Sequence, residues 1–359
     1  MNVPADLETE IEGAPEGLHL SPRTIDDVSR ILRLATDEEI AVRVWGGGTH
    51  QRYGMEPSPG IVMTMAHLNQ VETWEPDDLT LVAGAGAGVA EIENLLSTRQ
   101  QSALLPEMQG SGTLGGVLAT GRSSLKRGRM LGTRERVLEV TAVTGDGRVV
   151  RSGGRVVKNV SGYDLHRAMV GAFGSLGVIV SVCLKLWPVP PDSATIRVAD
   201  IGSALSTERP LAVLETRAGL DLFVWGTSSE VDAAVARSGG MAARGLHWPS
   251  DPVGEFRWSL RVPPASVAGA IEMVQPWDYL AVHGAGEIRL ASNSVEGATE
   301  IRDWAESLGG ALVLVDYPDA DPPLDPWGRP PMTLAIQRRL VAEFDPARII
   351  NPNRLPGGL

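Results

Sequence analysis

The sequence predicts an α+β protein in two parts: a β-rich N-terminal domain with clustered glycines, then a smaller α+β domain. Three observations carry that expectation. Residues Ser21 to Glu39 have helical spacing and run directly into the β-rich "IAVRVWGGGTH", so helix and strand are mixed from the start. "VLEVTAVTGDGRVVRSGG" from Val137 sets two β-branched runs around Gly145-Asp146-Gly147, a hairpin signal. After Pro188 a proline-rich link, "WPVPPDSATIRV", leads into a stretch without glycine-rich turns of the earlier kind.

In the first helix Thr24 and Asp27 have the spacing of a capping box, and Ile25, Val28, Ile31, Leu32 and Ala35 share one face. "GIVMTM", "VETWE" and "LTLVAGAGAG" read as strands, and "VAEIENLLSTRQ" from Val89 as a helix. "LHRAMVGAFGSLGVIV" places a helix, a Gly-Ser turn and a strand in succession. Beyond the link, "LAVLET" and "GALVLVDY" suggest strands and "SVAGAIEMVQ" a helix. The division expected is residues 1–190, residues 191–330, and a C-terminal helix and tail over 331–359 that return to the first domain. No internal repeat stands out.

The totals narrow the function. A chain of 359 residues, 43% of them hydrophobic, can bury a substantial core. A net charge of −12 argues against a nucleic-acid partner, which needs clustered bases. No uncharged apolar stretch is long enough to span a membrane, and the acidic start "MNVPADLETEIEG" is unlike a signal peptide, so a cytoplasmic protein is expected. The single cysteine, Cys183, lies in "VIVSVCLKLW" and is read as a buried core thiol. The only lysines are Lys126, Lys158 and Lys185. An anionic ligand would therefore be held by local arrangement.

Glycines supply such an arrangement in "GGGTH" (from Gly46), "GSGTLGGVLATG" (from Gly110) and "GAFGSLGVIV" (from Gly171). Main-chain amides without an adjacent Cβ can form a nest around a diphosphate. Around Ser175 and Gly177 the amides are expected to be free to meet a ligand, as is the edge from Val178 to Val180. The alternative is that these glycines only permit close packing. Gly110, Gly112 and Gly115 also spell G-x-G-x-x-G, with Glu135 downstream. The segment before them, "LLPEMQ", is a poor buried strand, and Gly121 interrupts the segment after them, so a Rossmann fingerprint is not expected.

"VWGGGT", "GTLGGVLATG", "RMLGTRERVLEVTAVTGDGRVVRSGG", "VVKNVSGYDL" and "GSLGVIVSVCLKLWPVP" occur in that order. Together they resemble the PCMH-type (vanillyl-alcohol-oxidase-like) FAD-binding family, and within it the FAD-binding E subunits of glycolate oxidase. The likeness covers residues 20 to 190, and "FDPARIINPNRL" resembles the family's ending, with Asn353 where glycine is usual. The resemblance implies an FAD-binding domain of two α+β subdomains with the cofactor between them. It implies that the pyrophosphate lies on Gly46, Gly47, Gly48 and Thr49 and on Gly112, Thr113, Leu114, Gly115 and Gly116. Gly132 and Thr133, with Gly174, Ser175, Gly177, Val178 and Ile179, would line the flavin and adenine parts. Lys158, Asn159 and Tyr163 match a "KN-x-x-GYD" signature and would lie near the cofactor, or form a structural turn with Asp164 capping the next helix.

Departures from the family matter for function. Related 2-hydroxy-acid dehydrogenases carry a histidine cluster that would hold a metal, whereas "AVHGAGEIRL" has only His283, expected to be structural; no metal is expected. Members with covalent flavin attach it through a histidine directly after the paired glycines. Thr49 stands there and His50 one further, so non-covalent FAD is expected. Arg257 and Arg289 are candidates to meet a carboxylate, or to form salt bridges. No general base is assigned. The resemblance implies a subunit of a glycolate oxidase complex. Its partners would be a related flavoprotein subunit and an iron-sulfur subunit, and membrane association would be peripheral and through those partners. A stand-alone flavin dehydrogenase of a small 2-hydroxy acid and a non-catalytic scaffold are the alternatives. A nicotinamide-dependent reductase of the same fold is weaker, having no evident nicotinamide site.

Overall fold

The computed structural model describes residues 5–56, 58–107, 110–155, 163–207, 209–319 and 322–359. Lys158 and Asn159 lie outside them. The fold is α+β.

The first helix, Ile25–Asp37, starts where the capping box predicts. Thr24 Oγ1 accepts the Asp27 amide and Asp27 accepts the Thr24 amide, both at 3.1 Å. Its apolar face buries Val28, Ile31, Leu32 and Ala35 against a three-stranded parallel sheet. That sheet has the order Leu18–Leu20, Ile61–Thr64, Val42–Trp45. Beside it lies a five-stranded antiparallel sheet, ordered Val71–Glu75, Thr80–Gly84, Val178–Lys185, Val137–Val143, Val149–Gly153. The hairpin between its last two strands turns at Gly147, whose φ of +77° suits glycine. Cys183 is buried there, and burial pushes its thiol up to about 11, so it is inert at neutral pH.

Residues 192–316 form an eight-stranded antiparallel sheet. Its chain order is strand–helix–strand–strand–helix–strand, twice over. Each half places its first strand between its third and fourth, and the halves join through their second strands, Ala212–Thr216 and Asp278–Val282. The sequence shows no repeat because the halves fill the same scaffold with different side chains. One half is packed around Ile196, Leu222 and Val231, the other around Trp258, Tyr279 and Ile301.

Strand periodicity then assigns the opposite face. Leu214, Phe223, Leu280 and Val282 turn away from the helices and bury Leu104, Leu125 and Met130 of the N-terminal half. This interface sets the large sheet over the glycine loops.

The C-terminal helix, Leu334–Phe344, and the tail pack back on the first domain. The Val42 amide donates to Ile349 O at 2.7 Å and the Asn351 amide to Val42 O at 2.8 Å. Asp345 accepts the Ile349 and Ile350 amides and fixes the bend before them.

Candidate functional site

The strand Val42–Trp45 ends at the first glycine loop, which turns at Gly48 with φ +75°. A Cβ on Gly47 would lie 1.5 Å from Ser111 O, and one on Gly46 would lie 2.4 Å from Thr113 Oγ1. The first two loops are thus packed main chain against main chain, and Ser111 Oγ donates to Gly47 O at 2.7 Å. Part of the glycine signal is therefore packing.

The remainder faces a cleft. Gly46, Gly47, Gly48, Thr49, Thr113, Gly115 and Gly116 line it on one side. Gly174, Gly177, Val178 and Ile179 line the other. Among the described residues, the amides of Gly47, Gly48, Thr49, His50, Gly112 and Thr113 meet no protein acceptor. An adjoining cleft of about 790 Å³ includes Gly132 and Ser175 in its wall, with Tyr53, Phe173 and Trp327. Tyr53 stacks on Trp327, and Phe173 meets both edge-on at 4.9 and 5.4 Å.

Several expected positions differ. Leu114 is fully buried and packs in the core with Val117 and Leu118. Gly112 lines neither cleft; it lies behind the loop, its carbonyl accepting the Val89 amide. Thr133 is buried as an anchor, its Oγ1 donating to Arg122 O at 2.6 Å and its amide to Ser123 Oγ at 3.2 Å. The Ser175 and Gly177 amides are not free: they close tight turns onto Ala172 O and Gly174 O, both at 2.9 Å. Tyr163 is 89% exposed and lines no part of either cleft. Asp164 makes no capping bond; Ser152 Oγ accepts the His166 amide instead. Gly110, Gly112 and Gly115 lead into a helix of only 7 residues, Leu114–Thr120, unlike a Rossmann crossover.

The tail supplies residues the sequence reading missed. Asn351 Oδ1 accepts the Val44 amide at 3.1 Å and its Nδ2 donates to Phe173 O at 2.8 Å, tying the first loop's strand to the third glycine turn. Arg354 lies in the first cleft's wall and donates to His50 O at 2.7 Å and Gln51 O at 2.9 Å. Burial, with Arg43 nearby, lowers its pKa to about 10, and its Nε has no partner. Asn353 explains the family's glycine, for it sits at φ +63°, which asparagine tolerates.

Above the clefts, a third cavity lies between the glycine loops and the eight-stranded sheet. Arg122, Arg257, Arg261 and Arg289 line it, with Asp251, Glu287, Asp316, His50 and Tyr53. Asp251 pairs with both Arg122 and Arg289, Glu287 with Arg127 and Arg289, and Arg257 with Asp316. Burial would raise the Asp251 pKa, but Arg289 and Arg122 outweigh it and hold it below the ordinary value. Arg261 has no carboxylate within ion-pair distance among the described residues and lines this cavity and the larger cleft together. His50 accepts from Arg122 through Nε2 at 3.2 Å, which leaves Nδ1–H to donate to Thr49 Oγ1 at 2.9 Å. Burial, then Arg122, lowers its pKa to about 3, so it is neutral. His283 is satisfied by Glu215 at 2.8 Å. Among the described residues, no group of three or more His, Cys, Asp or Glu could hold a metal ion.

The first cleft suits a diphosphate. Its wall carries no carboxylate, one buried guanidinium and a run of unpartnered amides. Such a cleft, built beside two sheets without a Rossmann crossover, is of a kind that suits a dinucleotide. The family model described as "FAD binding domain" matches residues 18–153. The chain is 29% identical to glycolate oxidase subunit GlcD of Bacillus subtilis over 195 residues, 53% of this chain and 41% of that one. It is 32% identical to a D-lactate dehydrogenase of Archaeoglobus fulgidus over 185 residues, 50% of this chain and 40% of the other. With glycolate oxidase subunit GlcE of Escherichia coli it shares 31% over 153 residues, 42% of this chain and 44% of that subunit. Among solved structures, an alkyldihydroxyacetonephosphate synthase superposes with a TM-score of 0.67 at 15% identity. It covers 93% of this chain and 75% of the other, a likeness of fold. Residues 18–153 match the FAD-binding domain family, and that match together with the flavoprotein relatives supports FAD as the cofactor. It spans about two fifths of the length of the first two relatives.

Proposed function

We propose that the protein is a flavin-dependent oxidoreductase acting on a small 2-hydroxy acid, as the FAD-binding subunit of a glycolate-oxidizing complex. One observation carries the substrate class. Of four guanidiniums around the third cavity, Arg122, Arg257 and Arg289 make direct ion pairs. Arg261 makes none among the described residues and only shares the field of Glu287, opposite it across the sheet, with Arg127 and Arg289. A monocarboxylate is the complement of that unpaired charge. FAD, when bound, supplies a two-electron acceptor for the hydride at C2 of such an acid. Arg261 would hold the carboxylate at the junction of cavity and cleft, and Tyr53, Phe173 and Trp327 would exclude water beside it. His50 is not the base, because Arg122 already occupies its Nε2.

The glycine cleft would hold FAD without a covalent bond, since Thr49 stands at the family's attachment position and both His50 nitrogens are engaged. The partners would be a related flavoprotein subunit and an iron-sulfur subunit, which the GlcD and GlcE likenesses support only as far as a multi-subunit oxidase. No helix among the described residues is long and apolar enough to cross a membrane.

The test is the visible spectrum of the purified chain, and of the chain with its partners, before and after anaerobic glycolate or D-lactate. Bleaching by either acid, weakened in Arg261→Met, is expected. A flavin that neither acid bleaches, alone or in the complex, would overturn the substrate assignment. Acid precipitation should release the flavin to the supernatant; flavin left in the pellet would refute non-covalent binding.

A further inference from the structure

A fourth cavity, of about 430 Å³, opens where the eight-stranded sheet meets the first domain. Arg129, Met130, Leu131 and Arg136 form one wall, and Trp187 and Pro190 of the interdomain link continue it. Arg209, Trp225 and Glu230 of the second domain close it. It shares only Leu131 with the larger flavin cleft.

Its charge is unbalanced in a chain that is strongly acidic overall. Three arginines face a single carboxylate, and Glu230 is already committed to its helix cap, accepting the Thr227 amide at 2.7 Å and its hydroxyl at 2.9 Å. Neither Arg129 nor Arg209 makes a direct ion pair with a carboxylate among the described residues, although Arg209 is near enough to Glu230 to help lower its pKa. Arg136 is the decisive residue. It is only 6% exposed, its guanidinium lies 5.9 Å from the Trp187 ring centre, and its Nη2 donates to Met130 O at 2.6 Å. Its Nε and Nη1 are buried without an acceptor. Leaving two guanidinium donors dry is costly, and an oxyanion that reached either edge of the guanidinium would supply an acceptor it lacks.

We propose that this groove binds an anionic ligand carrying a planar ring, of the mononucleotide class. The arginines take the phosphate, and Trp187 and Trp225 offer faces on which a base can stack. The volume falls within the range of small-molecule sites. A base and a phosphate together use both halves of the wall, whereas a bare anion would leave the indoles idle.

The test uses flavin-loaded protein and equilibrium dialysis with labelled AMP, with adenosine and inorganic phosphate as probes of each half. AMP should saturate one site per chain, and both partial probes should bind at least about tenfold more weakly. Arg136→Gln and Trp187→Ala should weaken AMP by about tenfold or more with flavin content unchanged. Arg129 is exposed and unpaired, so Arg129→Ala guards against misfolding and should weaken AMP severalfold. No saturable AMP binding in the loaded protein would overturn the proposal. So would wild-type affinity in Arg129→Ala and Arg136→Gln, phosphate binding as tight as AMP, or AMP binding only after flavin is stripped.

Discussion

Neighbouring glycines Gly115 and Gly116 separate packing from cofactor binding. Both line the first cleft, and both lie in the helix Leu114–Thr120. A Cβ on Gly115 would sit 2.8 Å from Ala85 Cβ and 3.0 Å from Ala85 O, where the backbone cannot yield cheaply. Gly115→Ala is an overpacking change and should cost about 1–3 kcal/mol of stability. A Cβ on Gly116 would meet only Thr113 Oγ1, at 3.2 Å, a tight contact that the capping hydroxyl relieves by moving a few tenths of an ångström. Helix propensity then favours Gly116→Ala by up to about 1 kcal/mol. If the phosphates lie against this turn, the same methyl displaces them from the amide of Thr113. Losing one charge-assisted bond costs about 1.5–3 kcal/mol, or roughly ten- to more than a hundredfold in Kd. The assay is paired: thermal midpoint of the flavin-free protein, and FAD affinity by quenching of flavin fluorescence. Gly116→Ala should hold or raise the midpoint and lose FAD; Gly115→Ala should lower the midpoint. Wild-type FAD affinity in Gly116→Ala would refute the placement of the diphosphate, whatever its midpoint.

Other outcomes rest on the charges and the tail. His50 is neutral when folded, with a pKa near 3 against an ordinary 6.5, so the unfolded chain takes up the proton first as pH falls. Its contribution is complete above about pH 6.5 and is lost toward pH 3; urea midpoints across that window should fall less steeply in His50→Gln, and an unchanged slope would refute the shift. Arg289→Met should destabilise by about 1–3 kcal/mol because it removes one of two arginine partners from both Asp251 and Glu287, whereas Arg261→Met, which breaks no ion pair, should change stability by no more than about 0.5 kcal/mol. Asn351→Ala leaves the Val44 amide and Phe173 carbonyl without their partner and should cost roughly 2–4 kcal/mol in urea unfolding.

The parts legible in the sequence were those whose cause is local. Thr24 and Asp27 cap a helix from three residues apart, and Gly147 takes the turn its hairpin demands. What a glycine is for is not local. Gly47 is required by Ser111, distant in sequence, and nothing in "GGGTH" distinguishes a glycine that admits a phosphate from one that admits another loop. The same limit explains Ser175 and Gly177, whose amides turn back onto their own chain, and Leu114, which its helix rotates into the core. Arginines were harder still. Arg122, Arg261 and Arg354 stand in unrelated segments, and only the sheet-to-loop interface and the returning tail bring them around the clefts. Their roles depend on who neutralises whom: Arg289, a candidate for a carboxylate ligand on sequence, is already spent on Asp251, while Arg261 is not. Charge assignment is thus a property of the whole arrangement, and the unpaired member of a network marks a ligand better than any arginine's place in a motif.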